Sequence, residues 1–155
     1  MTERIDYKKV APDAYKAMQG IEAYVRRSGL AASLLELVKT RVSQINGCAH
    51  CLDMHTKEAR VAGEAEQRLY LLPAWREAPF YSDRERAALA WAEAVTLISG
   101  SGVPDELYAE ARRHFDEKSL VDLTLAIIGI NGWNRLAVPF RSGTGSYRPK
   151  AARTE

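Results

Sequence analysis

Cysteine is scarce in this 155-residue chain, which has only Cys48 and Cys51. So few cysteines exclude a disulfide-stapled scaffold and leave no second Cys or His pair of the kind that structural zinc sites usually draw from a separate segment. Charge of one sign is missing too. The 22 Lys and Arg against 20 Asp and Glu leave a formal charge of +2, with only a short basic tail at Arg141, Arg148, Lys150 and Arg153. Nothing here could track phosphates, so nucleic acid is not an expected partner. No run approaches the roughly 18 apolar residues that span a bilayer, and Met1-Thr2-Glu3-Arg4-Ile5-Asp6 carries no apolar signal segment. No membrane role is expected, and a cytoplasmic location is. Internal repeats, low-complexity stretches and runs alternating with a period of two are absent as well, which argues against strands and so against a thioredoxin fold.

What is present is helical patterning. At 46% hydrophobic residues the chain can bury one core, and a single domain is expected over 1–142 with a loose polar tail at 143–155. A first helix is predicted from Pro12 to Ser28, carrying Tyr15, Met18, Ile21 and Val25, and a second from about Ala31 to Asn46, with Leu34, Val38, Val42 and Ile45 on its apolar face. Periodicity puts Glu36, Thr40 and Ser43 on the polar, solvated side of that helix. A third helix follows over Cys48 to Ala62 between Gly47 and Gly63, and a short one from Glu64 to Leu72. Residues 73–81, with two prolines, read as an ordered loop. Ser82 with Glu85 forms a capping-box pattern opening a helix through Ile98, closed by a turn at 99–102. Pro104 starts another, bearing His114 near its end, and Ser119 with Asp122 reads as the cap of a last, nearly all-apolar helix.

The segment Asn46-Gly47-Cys48-Ala49-His50-Cys51-Leu52-Asp53-Met54-His55 concentrates the chemistry. On a helix Cys48, Cys51 and His55 share one stripe, because steps of three and four residues return to the same face. A helix N-terminus and a neighbouring imidazolium both favour a thiolate, so a reactive dithiol is expected, open to a reductant across Ala49 and His50. His50 points away from the stripe, toward solvent at the mouth of the site. Zinc is a competing reading, with Cys48, Cys51 and His55 as ligands and His114 or Glu36 as a fourth. Haem attachment fails, since Leu52 stands where the histidine must be. A blander reading makes the cysteines inert core fillers. Trp133 and Asn134 could line a pocket, though a tryptophan ending an apolar helix is more often packing.

Glu36, then Ser43-Gln44-Ile45-Asn46-Gly47-Cys48-Ala49-His50-Cys51, Met54-His55, Ala59-Arg60 and Gly63 together resemble the alkylhydroperoxidase AhpD-like branch of the carboxymuconolactone decarboxylase superfamily. The similarity continues more loosely through 84–91 and 130–135 and covers most of the chain. It implies an all-α, AhpD-like helical domain assembling into homotrimers or homohexamers. It also implies a thiol-dependent peroxidase acting on organic hydroperoxides without a cofactor or metal, its disulfide re-reduced by an external dithiol, lipoyl-type or thioredoxin-like. By the same resemblance Cys51 is the peroxidatic cysteine, Cys48 the resolving one, Glu36 and His55 the proton relay, and His50 a further histidine of the site. The residues by themselves do not rank the two sulfurs, and helix-terminus exposure would favour Cys48. A relay carboxylate needs a partly desolvated setting. Lactone decarboxylation has no use for a dithiol. A disulfide reductase with incidental peroxidase activity, or a zinc-stabilised or redox-sensing adaptor without turnover, stays open.

Overall fold

The computed structural model describes residues 2–149, and among them every regular element is helical, as the patterning predicts. In chain order these are α1 (Tyr7–Val10), α2 (Pro12–Arg26), α3 (Ala32–Ile45), α4 (Ala49–Val61), α5 (Glu66–Leu71), a 3₁₀ turn at Leu72–Ala74, α6 (Asp83–Thr96), α7 (Ile98–Ser101), α8 (Asp105–His114) and α9 (Glu117–Phe140). The nearly all-apolar segment is α9, and its composition explains its place: Leu123, Ile127 and Ile130 are fully buried, and α2, α3, α4, α6 and α8 all pack against it. Glycine lets α2 come close, since a Cβ at Gly132 would stand 2.7 Å from Cε of Met18. The backbone N–H of Arg4 donates to the Phe140 carbonyl at 2.9 Å, satisfying one orphan acceptor at the end of α9.

A second buried cluster, with Leu37, Ala59, Leu72, Trp75, Tyr81 and Leu89, sits under the loop before α6. Arg68 orders that loop: its guanidinium donates to Glu64 at 2.7 Å, to Glu85 at 2.5 Å and to the Phe80 carbonyl. The Ser82–Glu85 capping box is formed as the sequence predicts.

Three local expectations are corrected. The last helix opens at Glu117, capped by Asp116, whose carboxylate accepts the Ser119 N–H at 2.7 Å. Asp122, read as the partner of Ser119, is instead buried and accepts from the Tyr24 hydroxyl and the Lys118 ammonium, so its charge is neutralised inside the bundle. The helix opened by Ser82 stops at Thr96, and Ile98 lies 58% exposed on the single helical turn α7, which Gly102 ends at φ 64°.

The predicted loose tail is the third case. Residues 143–149 have no regular structure, yet they run along α4: Gly143 O lies 2.6 Å from Nδ1 of His50, the Gly145 N–H donates to Asp53 at 2.9 Å, Lys57 donates to Tyr147 O at 3.1 Å, and the Tyr147 hydroxyl donates to Glu58. The remainder of the tail, 150–155, lies outside the described residues.

Candidate active site

The site is built on the hairpin of α3 and α4, which pack against each other across a tight turn. Gly47 takes φ 64° there, a conformation that side-chain-bearing residues avoid, and the Cys48 N–H returns to the Ser43 carbonyl at 3.0 Å. Cys48 does not lie in the first turn of α4, as the sequence suggested, but is its N-cap: Sγ accepts the Cys51 N–H at 3.3 Å. The two cysteines form a disulfide, with Cα atoms 5.3 Å apart. Each is 1% exposed and belongs to the buried cluster of Val38, Val42, Ile127 and Ile130. The expectation of an open dithiol is therefore corrected for the single chain. Ala49 and His50 lie on the outer side of the turn, while both sulfurs face inward against α3 and α9 because apolar neighbours surround them.

One turn beyond Cys51, His55 is 6% exposed, and its Nδ1 lies 2.8 Å from Oε2 of Glu36 on α3. A carboxylate accepts only, so Nδ1 carries the proton, and in the neutral imidazole Nε2 keeps a free lone pair. That Nε2 is buried and has no hydrogen-bond partner. Helical spacing brings it to the face of α4 that carries Cys51.

Glu36 is thus part of the site, and the solvated face assigned to Glu36, Thr40 and Ser43 is corrected. The Glu36 side chain is 17% exposed, and Thr40 and Ser43 are wholly buried. The cause is the packing of α4 and α9 across that face: His55 of α4 meets Glu36, Asn134 of α9 donates to Ser43, and the Thr40 hydroxyl is covered without a partner. Periodicity separates polar from apolar faces but does not report what stands opposite.

A set of amides behind the turn, which the sequence reading did not single out as a network, holds it in place. Asn46 Nδ2 donates to Asn134 Oδ1 at 2.8 Å and to Asn131 Oδ1 at 3.0 Å, Asn134 Nδ2 donates to Ser43 Oγ at 3.2 Å, and Asn131 Nδ2 donates to Thr96 Oγ1 at 3.0 Å. A run of polar residues at the end of an apolar helix was the available signal. Asn134 therefore braces the dithiol turn without touching the sulfurs' hydrogen bonds, and Trp133 serves packing: its indole donates to Glu22 at 3.2 Å and its ring lies edge-on to Tyr15.

His50 is half-buried, with Nδ1 engaged by the Gly143 carbonyl rather than free in solvent, so the segment 143–149 begins beside the dithiol turn. The Lys57 ammonium, with the Gly145 N–H, holds the Asp53 carboxyl below its ordinary range. Further along, burial, then the hydrogen bond to Glu58 and the charges of Glu58 and Glu36, push the Tyr147 phenol up to about 12. His114, weighed as a zinc ligand, ends α8 and faces Glu110 at 3.2 Å. Among the described residues no group of three or more His, Cys, Asp or Glu side chains is arranged to hold a metal ion. No helix there is long and apolar enough to cross a membrane.

Comparison with known proteins agrees with this architecture. The Bacillus subtilis (strain 168) protein YdfG, itself uncharacterized, is 50% identical over 138 residues, 89% of this chain and 94% of its own. A crystal structure from Agrobacterium tumefaciens, of a protein of unknown function described as a candidate AhpD antioxidant defence protein, superimposes with a TM-score of 0.91 at 46% identity, covering 94% of this chain and 100% of that one. The debrominase Bmp8 shares the fold, with a TM-score of 0.78 at 21% identity over 87% of this chain and 73% of its own. The profile of the carboxymuconolactone decarboxylase family matches residues 12–94, a span that begins with α2 and takes in the whole α3–α4 hairpin with its glutamate, dithiol and histidine. This chain belongs to that family, in its AhpD-like branch.

Proposed function

We propose that the protein is a thiol-dependent peroxidase that reduces organic hydroperoxides at Cys51, with an antioxidant role. The observation that carries this reading is the His55 imidazole, held by Glu36 through Nδ1, with its buried Nε2 unpartnered one helical turn from Cys51. An acceptor left empty on the helix face that carries Cys51 is suited to taking the thiol proton.

In the first step His55 Nε2 takes the proton of the Cys51 thiol, and Glu36 stabilises the imidazolium. The thiolate attacks the terminal oxygen of ROOH; the S–O bond forms as the O–O bond breaks, and the alkoxide leaves as ROH with the proton returned by His55. The Cys51 sulfenic acid then condenses with the Cys48 thiol, releasing water and forming the disulfide. An external dithiol restores the thiols by exchange and leaves as its own disulfide. His50 stands at the approach to the turn, where it ties down Gly143. Burial of both sulfurs favours a small hydroperoxide and a slender lipoyl-type reductant over a bulky thioredoxin-like protein. Assembly into a homotrimer or homohexamer completes the proposal; Val121 and Ile128, exposed and seven residues apart on one face of α9, offer a surface for it.

A second reading is supported by the Cys51 N–H donated to Cys48 Sγ. That bond and the helix N-terminus favour a thiolate on Cys48, as a disulfide reductase would need. Stopped-flow oxidation of the reduced protein by tert-butyl hydroperoxide, with thiol counts and Cys48→Ser and Cys51→Ser in parallel, separates the two. Rapid loss of both thiols, with sulfenic acid trapped only in Cys48→Ser, supports the peroxidase. Thiols that survive hydroperoxide yet reduce lipoamide, the cyclic disulfide, to dihydrolipoamide sink it in favour of the reductase.

A further inference from the structure

We propose that Thr40 is a further residue of the thiol site, its hydroxyl donating a hydrogen bond to the Cys51 sulfur when the dithiol is reduced. The inference rests on the peroxidase reading only in naming Cys51 as the reacting sulfur.

The first observation is an unmade bond. Thr40 is wholly buried, and its Oγ1, like His55 Nε2, is a buried side-chain atom without a hydrogen-bond partner. A threonine inside a helix normally escapes this cost by donating to the carbonyl four residues back. Two others in this chain do so: Thr56 to Leu52 at 2.7 Å and Thr124 to Leu120 at 2.7 Å. The helical Thr96 accepts from Asn131. Thr40 makes neither kind of bond, and leaving a buried hydroxyl unpaired is unfavourable unless a partner arrives in another state of the molecule.

The second observation says which partner. Because α3 and α4 run back on each other through the turn at Gly47, stepping away from the turn along one helix matches stepping away along the other. The Glu36–His55 contact fixes that register. One helical turn toward the hairpin from Glu36 is Thr40, and one helical turn toward it from His55 is Cys51. Thr40 therefore stands at the level of Cys51, on the face of α3 that already reaches across to α4. The sulfur of the closed disulfide is a poor acceptor and a thiolate a strong one, so reduction supplies what the hydroxyl lacks. The two unpartnered atoms then have separate tasks: Nε2 takes the proton from Cys51, and the Thr40 hydroxyl stabilises the charge left behind.

The test uses the full chain with Thr40→Val, which keeps the shape and removes the hydroxyl, and Thr40→Ser, which keeps the hydroxyl. Thiolate absorbance is titrated against pH in a Cys48→Ser background, and the dithiol potential of each variant is set against a glutathione buffer. Thr40→Val is expected to raise the Cys51 titration midpoint by about one pH unit, a tenfold loss of thiolate below that midpoint. It should also shift the potential toward the disulfide, while Thr40→Ser stays close to the parent in both. The melting midpoint of oxidised Thr40→Val should not fall, because the hydroxyl had no partner to lose. A Cys51 midpoint unchanged in Thr40→Val, or oxidised and reduced forms destabilised alike, overturns the proposal. Should Thr40→Val not fold, Thr40→Ala is read by the same titration. No hydroperoxide enters these measurements, so a protein that shows the shift but does not turn over hydroperoxide would refute the peroxidase and leave the assignment of Thr40 standing.

Discussion

Glu36 and His55 lie 19 residues apart in sequence, and Oε2 of one stands 2.8 Å from Nδ1 of the other across the α3–α4 hairpin. The contact selects the tautomer of the histidine and thereby the nitrogen that faces the thiol site. Glu36→Gln keeps an acceptor for Nδ1 but removes the charge that supports an imidazolium. The second-order rate of thiol oxidation by hydroperoxide should drop by about 100-fold, within the ordinary span for loss of an acid–base partner, with the fold retained by circular dichroism. An unchanged rate in stopped flow would remove Glu36 from the relay.

Tyr147 gives the C-terminal segment a pH limit. Its phenol, pushed up to about 12, sits above the value near 10 expected in an unfolded chain. The neutral form is the one favoured in the folded state, so the stabilisation is complete below about pH 10 and is lost as pH rises toward 12. Tyr147→Phe removes the donor to Glu58 and should make hydrogen exchange faster across 143–149 at neutral pH, with no further loosening attributable to this residue at high pH. Exchange in that segment equal to wild type at neutral pH would show that the phenol does not hold it.

Glu93 carries the opposite dependence. Burial alone would raise its carboxyl, but the Trp75 indole at 2.9 Å, Arg41 at 2.8 Å and Arg76 at 2.6 Å outweigh burial and hold it below the usual range. A lowered folded value gives stability that is present above the unfolded value near 4.3 and is lost as pH falls through the folded one. Glu93→Gln is expected to cost about 2 kcal/mol in urea unfolding at neutral pH and to flatten the acid limb of the stability profile. A variant with the parent's stability throughout would show that its three donors contribute nothing net.

The assembly proposal has its own measurement. Val121 is 66% exposed and Ile128 51% exposed on one face of α9, and burying such a pair against a second copy would be undone by charge. Val121→Lys with Ile128→Lys should lower the mass by light scattering while leaving the helical signal intact. An unaltered mass would place the interface elsewhere on the molecule.

Much of this was legible in the sequence because it is local. Apolar spacing located α2, α3 and α4 to within a few residues, and Gly47 marked the turn that Cys48 then caps. What stayed hidden depends on residues far apart in the chain. Glu36, Thr40 and Ser43 look like a solvated stripe until α4 and α9 are laid across them, and nothing local separates a face toward water from one covered by other helices. Asp122 has the spacing of a cap partner, and its place in the bundle depends on Tyr24, 98 residues away. The segment after Ser142 looked loose because its attachments to α4 use backbone groups of residues such as Gly143, which leave no mark in composition.

The cap of α4 is also one of its two redox atoms. Where other α-helices among the described residues have a side-chain cap, it is a carboxylate or hydroxyl whose charge is indifferent to oxidation, as with Asp6, Ser82 and Asp116. Here the atom that accepts the Cys51 N–H is Cys48 Sγ, so a change of two electrons alters the quality of the acceptor that begins the helix. A thiolate at a helix start binds its N–H more strongly than a disulfide sulfur does. Opening the bond is therefore expected to change how the first turn of α4 is held, and the Cys51 amide signal is the place to read it.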